Sequence, residues 1–463
     1  MSVKTWGVPK ISRKLSSLEN IAFSEFEKLF SPKTTAFAVA VSGGADSIAL
    51  LYLLKSWQEH FNTPSNPTNK KIILRSAPEI HILTVDHGLR KGSEKEAQFV
   101  KDIALKMSFI HQTLFWSEPK PETGIQQAAR NARYNLMTSY CHQHDIPCLL
   151  LAHHQDDQVE TVLMRLQRGS GLDGLCGMHP SSSRTGIKIF RPLLSVCKQN
   201  LITFLKEREI SWCEDPSNAN DAFERVRIRQ TRKHFEDIGI NTQTIALSAS
   251  RLQRVWQTLE NQLDKIWPSL VSIQDAGFAV MQKTQFLELD DELAIRSLKR
   301  LLECIGRRET MPQLVKLENV LNQIRRNANS SESVSLSGCI ITSTREIYTI
   351  SRELRSTENL EISLKPGQVD VWDRRFKVRI SPKLKCPICV KPLTEEGYKQ
   401  HFQELKKLNH SILETYPKYV RQSLLSFWQQ EKLLSIPHLG YISPSLEGKF
   451  DISDFQAHFF SDM

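Results

Sequence analysis

Between residues 35 and 152, short apolar runs alternate with longer stretches in which apolar residues recur at helical spacing. Such alternation is typical of βα units that stack around a parallel sheet. The predicted strands are 36–41, 80–85, 112–116 and 148–152. The predicted helices lie near 47–57, 93–107 and 124–144. The N-terminal part of the chain therefore predicts an α/β fold with a parallel sheet.

The hydrophobic pattern changes after residue 218. From about 222 to 326 the apolar residues keep helical spacing with few strand signals, which predicts a helical domain. From Ser333 the runs SVSLSGCIITS and EIYTI favour a hairpin, followed by mixed strand and helix. We therefore expect an α/β domain at 1–219, a helical domain at 220–330 and a mixed α+β domain at 331–463.

The composition predicts a globular protein without a membrane span. Of the 463 residues, 40% are hydrophobic and 24% are charged, which excludes a disordered or collagen-like chain. The longest apolar run, 48–54, is far shorter than the roughly 18 residues that a span requires. The basic N-terminus lacks the apolar segment of a secretory signal, although a transit peptide stays open. Nine irregularly spaced cysteines favour reduced thiols and a cytoplasmic location.

The charge balance points to an anionic partner without identifying one. The chain has 61 lysines and arginines against 51 acidic residues, a formal net charge of +10. A positive excess favours binding to nucleic acid or to other anions. Over a chain of this length the excess does not separate a nucleic-acid enzyme from a basic metabolic enzyme.

A glycine-rich turn joins the first predicted strand to the first predicted helix. Glycines let the backbone approach a phosphate, and the free amides of a helix N-terminus attract the anion. An acid here would repel a bare phosphate but can hold a Mg²⁺ that bridges phosphate oxygens, the role we expect for Asp46. No G-x-x-x-x-G-K-[ST] sequence occurs, so a Walker loop is excluded, and a plain capped turn is the alternative. The turn consists of Ser42, Gly43, Gly44, Ala45, Asp46 and Ser47.

A segment rich in acidic residues and histidine, HHQDDQVE, follows the fourth predicted strand. We expect His153, Asp157 and Glu160 to share one stripe of a helix that faces the same crevice as the glycine-rich turn. Two carboxylates beside a histidine can bind a cationic group, move a proton or ligate a metal. The alternative is structural, because Asp156 and Asp157 also favour the first turn of a helix.

Two basic clusters are candidate nucleic-acid contacts. Arg225, Arg229 and Arg232 recur at i, i+4 and i+7, so one helix face could follow phosphates. Arg374 and Arg375 stand between two aromatic residues, a mixture that suits RNA backbone and bases. A solvated charged face is the alternative for both clusters.

A C-x-x-C pair, Cys386 and Cys389, raises the question of zinc. A zinc site would need a second pair, and His401 and His410 are farther apart than H-x₃₋₅-H allows. The acidic segment also lacks the H-E-x-x-H arrangement. Zinc is therefore not favoured at either place, although whether the cysteines bind a metal stays open.

Six motifs in one order resemble a known family. The turn SGGADS is similar to the signature of PP-loop pyrophosphatases, which cleave ATP between its α and β phosphates. The complete set resembles the tRNA(Ile)-lysidine synthetase family over roughly 36–235, and about the last hundred residues resemble alphaproteobacterial members. The motifs are SGGADS, VDHGLR at 85–90, QQAARNARY at 126–134, LAHHQDDQVETVLMRLQRGSGLDGL at 151–175, RPLL at 191–194 and WCEDPSN at 212–218.

The resemblance implies that ATP adenylates the wobble cytidine of a tRNA(Ile) with a CAU anticodon and that free L-lysine then displaces AMP. It implies that residues 42–47 bind ATP phosphates, that Asp46 holds Mg²⁺, and that Asp157 and Glu160 bind lysine. Asp46, His153 and Asp157 would be catalytic, with His153 assisting proton transfer. A homodimer is compatible with it. The implied phosphate or tRNA contacts are Arg225, Arg229, Arg374 and Arg375.

Two other functions remain alternatives. A PP-loop tRNA thiolase would need cysteines around its active site, whereas the N-terminal cysteines form no C-x-x-C pair. A non-catalytic tRNA-binding protein would not need the intact SGGADS turn with its acidic residue. The cysteines concerned are Cys141, Cys148, Cys176, Cys197 and Cys213.

Overall fold

A computed structural model describes most of the chain as two compact units, 1–256 and 257–463. No helix of the described part is both long and apolar enough to cross a membrane. The motif positions 89–90 and 215–218, the side chain of Arg232 and His410 lie outside the description. The described residues are 15–29, 34–61, 78–88, 92–121, 123–214, 224–307, 312–328, 330, 332–354, 360–408, 416–446 and 448–460.

The first unit is an α/β body built on a six-stranded sheet of order β3-β2-β1-β4-β6-β5. The predicted parallel sheet is confirmed, and only β5 runs antiparallel, at the edge beside β6. Its strands are β1 Ala36–Ala40, β2 Glu79–Asp86, β3 Ile110–Phe115, β4 Cys148–Leu150, β5 Ser181–Arg184 and β6 Ile187–Phe190. Its helices are α1 Ser17–Leu29, α2 Ala45–Phe61, α3 Ser93–Lys106, α4 Ile125–Gln143, α5 Gln155–Gln167, α6 Leu172–Leu175, α7 Lys198–Glu207 and α8 Glu224–Asp237, and α9 Thr242–Leu270 contains the boundary between the units.

Strand β1 is apolar along its whole length because helices cover both faces of the sheet. Phe37 and Val39 join the core on the side of α1, α2, α3 and α7, whereas Ala36 and Ala38 join the core on the side of α4. Strands β2 and β4 flank β1 on opposite sides, so the strand order reverses between β1 and β4. Open sheets bind ligands beyond the carboxyl ends of their strands at such a reversal. The glycine-rich turn after β1 and the acidic segment after β4 both emerge there.

The second unit consists of three antiparallel sheets with helices packed against them. Their strand orders are β7-β8-β11-β10-β9, β12-β15-β16-β17-β18 and β13-β14-β19. The strands are β7 Val271–Gln274, β8 Phe278–Gln282, β9 Val334–Leu336, β10 Cys339–Ser343, β11 Ile347–Arg352, β12 Ile362–Leu364, β13 Val369–Trp372, β14 Phe376–Ile380, β15 Ile388–Pro392, β16 Leu425–Gln429, β17 Lys432–Ile436, β18 Tyr441–Ile442 and β19 Phe455–Phe459. The helices are α10 Lys283–Leu287, α11 Asp291–Gly306, α12 Leu314–Arg326, α13 Thr394–Gln400, α14 Phe402–Leu408 and α15 Lys418–Ser423.

The short hairpin β7–β8 lies inside the stretch 220–330 for which helix was expected. Strands of four and five residues are too short for hydrophobic periodicity to separate them from helix. Strand β8 pairs with β11, so residues on both sides of position 330 share one sheet. The predicted hairpin after Ser333 is present as β10 and β11. The domain boundaries near 219 and 330 stay predictions.

A buried ionic cluster joins the elements of the second unit. Asp373 accepts hydrogen bonds from Arg352 at 2.9 and 3.1 Å and from Arg375 Nε at 2.6 Å. The two guanidinium groups also donate to the carbonyl oxygens of Gly306 and Gly277. All three charged residues are at most 7% exposed. One carboxylate therefore compensates two buried cations between β11 and the β13–β14 turn.

Replacing that carboxylate should destabilise the protein strongly. We expect Asp373→Ala to lower the free energy of unfolding by about 3–5 kcal/mol, because it leaves two buried guanidinium groups uncompensated. Thermal unfolding measured by calorimetry checks the change. The control is Asp370→Ala, an exposed residue of the neighbouring strand, with an expected effect within about 0.5 kcal/mol. Equal effects of the two substitutions would contradict this account.

Candidate active site

The turn SGGADS folds into a compact loop at the N-terminus of α2. Ser47 Oγ donates to the Gly44 carbonyl at 2.9 Å and accepts from the Ser42 amide at 3.2 Å. Gly43 has φ +89°, a conformation that side-chain-bearing residues rarely adopt, and its carbonyl accepts from the Cys213 amide. The loop thus places backbone amides and two hydroxyl groups where a helix N-terminus attracts an anion.

Asp46 lies in the first turn of α2 and faces the segment that follows β4. Its Oδ2 is 3.3 Å from His154 Nε2 and 3.7 Å from Lys198 Nζ. Burial alone would raise the pKa of Asp46, but the hydrogen bond and charge of His154, with Lys198 and Arg229, lower it overall. Its Oδ1 is buried without a hydrogen-bond partner in the described structure. An ionised carboxylate with one unused oxygen fits a hard cation such as Mg²⁺.

His154 connects the glycine-rich loop to the acidic helix, and the sequence reasoning missed it. It caps α5, where its Nδ1 accepts from the Asp157 amide and its own amide donates to Asp157 Oδ2. Because Nδ1 accepts, Nε2 carries the proton that faces Asp46. Burial lowers the pKa of His154, but Asp46 and Asp157 raise it overall. The signal in the sequence was the second histidine of HHQDD, two positions before the acidic pair.

His153 is placed differently from the prediction. Helix α5 begins at Gln155, so His153 precedes the helix and does not belong to the stripe that carries Asp157 and Glu160. Its Nδ1 is buried without a hydrogen-bond partner among the described residues. Burial, followed by charges that include Arg191 and the arginines of α4, holds the pKa of His153 well below its usual value. The imidazole is therefore neutral.

An arginine cluster surrounds that histidine, and it too was not predicted. Arg130 and Arg133 of α4 lie over the Tyr134 ring, with 5.2 and 5.6 Å between guanidinium carbon and ring centroid. The Nε atoms of Arg133 and Arg191 are buried without a hydrogen-bond partner in the described structure. Burial lowers the pKa of both side chains. Such a cluster is suited to an anionic ligand. The arginines were visible in QQAARNARY and RPLL, motifs that received no role.

The acidic stripe of α5 is buried and partly neutralised. Asp157 is 9% exposed and Glu160 is 1% exposed. Glu160 accepts from Arg229 Nε at 2.5 Å, and Arg168 donates to Glu224 at 2.6 Å, so two ion pairs connect α8 to α5. The structure therefore brings together Glu160, expected to bind lysine, and Arg229, expected to contact phosphate.

Arg225 belongs to the basic surroundings of His153 and not to the acidic surroundings of Glu160. Its charge lowers the pKa values of both His153 and Arg133, so it belongs to the arginine cluster. Arg225 and Arg229 share helix α8 but contribute to different surroundings, one cationic and one acidic. The crevice thus contains a positive side around His153 and a mixed side around Asp157 and Glu160.

Arg374 and Arg375, the two residues of the second unit predicted to contact phosphate or tRNA, differ in exposure. Asp373 and Arg374 occupy the β13–β14 turn with φ +50° and +54°, and Arg374 is exposed. Arg375 is 1% exposed and is held by Asp373, so its prediction as a phosphate or tRNA contact is corrected to a structural role. The turn reverses the chain after Arg374, which directs the next side chain inward.

The C-x-x-C pair lies at the start of β15. Cys386 Sγ accepts from the Gln429 amide group at 2.8 Å, and burial together with Glu361 raises the pKa of Cys389 to about 12. Within the described residues, no group of three or more His, Cys, Asp and Glu side chains is arranged to hold a metal ion. Because its pKa is about 12, the thiol of Cys389 is protonated at neutral pH.

The sequence is similar to known proteins over the part of the chain that forms the site and beyond it. A PP-loop domain family model matches residues 18–233. The tRNA(Ile)-lysidine synthase of Wolbachia pipientis wMel is 33% identical over 408 residues, 87% of this chain and 89% of that protein. The tRNA(Ile)-lysidine synthase of Orientia tsutsugamushi is 31% identical over 441 residues, 91% of this chain and 92% of that protein.

A solved structure shows weaker similarity. The U34-tRNA thiolase from Methanococcus maripaludis, with its [4Fe-4S] cluster, has a TM-score of 0.42 and 13% identity over 52% of this chain and 78% of that chain. Similarity at that level carries no functional argument. The two synthases, in contrast, match nearly the whole length of both chains above 30% identity. The chain therefore belongs to the tRNA(Ile)-lysidine synthase family of PP-loop enzymes.

Proposed function

We propose that this enzyme ligates L-lysine to the wobble cytidine of tRNA(Ile) bearing a CAU anticodon. The cytidine O2 attacks the α-phosphorus of ATP, and pyrophosphate leaves. The lysine ε-amine then attacks C2 and loses a proton, and AMP leaves with the oxygen. The observation that carries the proposal is the contact of Asp46 with His154, which joins the phosphate loop to the acidic helix in one crevice. Both half-reactions need that adjacency.

ATP phosphates would be bound by the loop 42–47. The amides at the start of α2, with the hydroxyl groups of Ser42 and Ser47, are donors suited to phosphate oxygens. Asp46 would hold Mg²⁺ through its unpartnered Oδ1. When bound, the ion supplies positive charge to the phosphate oxygens.

Lysine would bind at the acidic stripe of α5. Asp157 and Glu160 offer negative charge to an ammonium group, while Arg229 keeps a cation next to Glu160. A free amino acid carries a carboxylate beside its α-ammonium, so a paired Glu and Arg suit it better than they suit a simple amine. His153 is neutral, and its Nδ1 has no hydrogen-bond partner among the described residues, so it is available to assist the transfer of the proton that the ε-amine loses.

The tRNA would contact two basic regions. The cluster of Arg133, Arg191 and Arg225 is suited to the anionic nucleotide that enters the crevice. In the second unit, Arg374 together with Lys377 of β14 presents exposed positive charge suited to RNA phosphates. A tRNA substrate is consistent with action in the cytoplasm, and a homodimer stays a prediction.

The thiolase alternative receives no support from Cys141 or Cys148. Burial raises the pKa of Cys141 to about 12 and that of Cys148 to about 11. Thiols with such pKa values are poor nucleophiles and poor metal ligands at neutral pH. Cys141 lies in the core beside α4, whereas Cys148 begins β4 and lies in the core on the other face of the sheet. Lysine ligation therefore remains the function that the site supports best.

Lysine transfer tests the proposal directly. The protein is incubated with ATP, labelled lysine and unmodified tRNA(Ile) with a CAU anticodon, and label in tRNA is counted. We expect Asp46→Ala and Asp157→Ala each to lower the rate by roughly 10²-fold or more. The first removes the carboxylate that would hold Mg²⁺, and the second removes a carboxylate that would bind lysine. The control is Asp102→Ala, an exposed acid of α3, with an unchanged rate. Full activity in both site variants would refute the assignment, and transfer of another nucleophile would refute lysine as substrate.

Arg374 and Arg375 should respond differently to removal of charge. We expect Arg374→Ala to weaken tRNA binding and to reduce its salt slope by about one, because an exposed phosphate contact is lost. Filter binding over a range of KCl concentrations measures both quantities. Arg375→Ala should instead lower the thermal midpoint, since it disrupts the buried cluster. Lys432→Ala, an exposed change elsewhere in the unit, is the control, and a salt slope unchanged in Arg374→Ala speaks against the contact.

A further inference from the structure

The phosphate loop lacks a cation of its own. The six residues 42–47 include no lysine or arginine, and Asp46 adds a negative charge. Under the proposed function, the bond between the α-phosphorus and the bridging oxygen breaks, and the oxygen keeps the electron pair. Negative charge therefore grows on the departing pyrophosphate. A positioned cation at that point would accelerate the step.

Lys198 is placed to supply that cation. It is the first residue of α7, and its ammonium is 3.7 Å from Asp46 Oδ2. Its backbone amide donates to Asp156 Oδ2 at 2.9 Å, so the start of α7 is fixed to the start of α5. Leu201 and Leu205 of α7 lie in the same core as the residues of α2. The backbone of Lys198 is thus held rigidly beside the phosphate loop from two directions.

The ammonium itself is not fixed in the same way. Its distance from Asp46 exceeds that of a hydrogen bond, and the side chain is 39% exposed. His154, which is 1% exposed, already makes the closer contact with the same carboxylate oxygen. A half-exposed ion pair of this kind contributes little to stability. The geometry therefore leaves the ammonium able to turn from Asp46 toward a phosphate.

We propose that Lys198 is a catalytic residue that binds the β- and γ-phosphates of ATP and stabilises the pyrophosphate leaving group. This rests on the proposed function. In the adenylation step, the cytidine O2 forms a bond to the α-phosphorus while the bond to the β-bridging oxygen breaks. Pyrophosphate takes the electron pair, and the Lys198 ammonium donates hydrogen bonds to its oxygens. Free L-lysine, the second substrate, takes no part in this adenylation step.

Three variants test the proposal: Lys198→Ala, Lys198→Arg and the control Lys206→Ala, an exposed lysine of the same helix. Pyrophosphate release is followed in a single turnover with ATP and tRNA(Ile) and without lysine. We expect Lys198→Ala to slow release by about 10²-fold, since one charge-stabilising donor is lost. Lys198→Arg should recover at least about tenfold of that loss, and Lys206→Ala should stay within about twofold of the unchanged protein.

Binding of inorganic pyrophosphate, measured by calorimetry, gives a readout independent of turnover. Lys198→Ala should weaken it at least about tenfold, with the thermal midpoint and the KM for lysine unchanged. Release within about threefold of the unchanged protein, or equal pyrophosphate affinity, would overturn the proposal. If the unchanged protein released no pyrophosphate with tRNA(Ile), lysidine formation would fail as the function, while the affinity comparison would still decide whether Lys198 binds pyrophosphate.

Discussion

The active site depends on one buried histidine. His154 caps α5 through reciprocal hydrogen bonds with Asp157, and its other ring nitrogen faces Asp46 at the start of α2. Two helices that follow different strands are thereby held with their N-termini adjacent. Because a capped helix start and a carboxylate share one imidazole, displacing the ring would disturb both the phosphate loop and the acidic stripe. Chemistry that uses ATP and a second substrate in succession needs that common frame.

The fold of the first unit and its phosphate loop could be predicted because both depend on local sequence. Strand β1, the glycines and α2 are contiguous, so periodicity and turn chemistry are sufficient. The role of His154 could not be derived in that way. The stripe argument assumed that His153 lies on the helix, but the backbone at His154 is extended, with φ −125° and ψ −179°. Consecutive side chains of extended backbone point in opposite directions, so the two histidines serve different surroundings.

The same limit of local sequence reasoning explains why the surroundings of Arg375 and Arg133 could not be predicted. Arg374 and Arg375 are adjacent in sequence, but a turn with two left-handed residues directs one outward and buries the other against Asp373. A count of charges cannot distinguish them, because the carboxylate that compensates a buried cation is identified only by the fold. Arg133 acquires its meaning from proximity to His153, which is 20 positions away along the chain.

The adjacent histidines show how one crevice serves opposite demands. Around His153, burial and arginines lower the pKa, so the ring stays neutral. Around His154, Asp46 and Asp157 overcome burial and raise the pKa, while its Nδ1 accepts from the Asp157 amide and its Nε2 faces Asp46. The pKa values of the two adjacent histidines are therefore shifted in opposite directions, because the fold surrounds one ring with arginines and the other with carboxylates. The net positive charge of the chain is thus an average over a local division, in which arginines gather around His153 and carboxylates gather around His154.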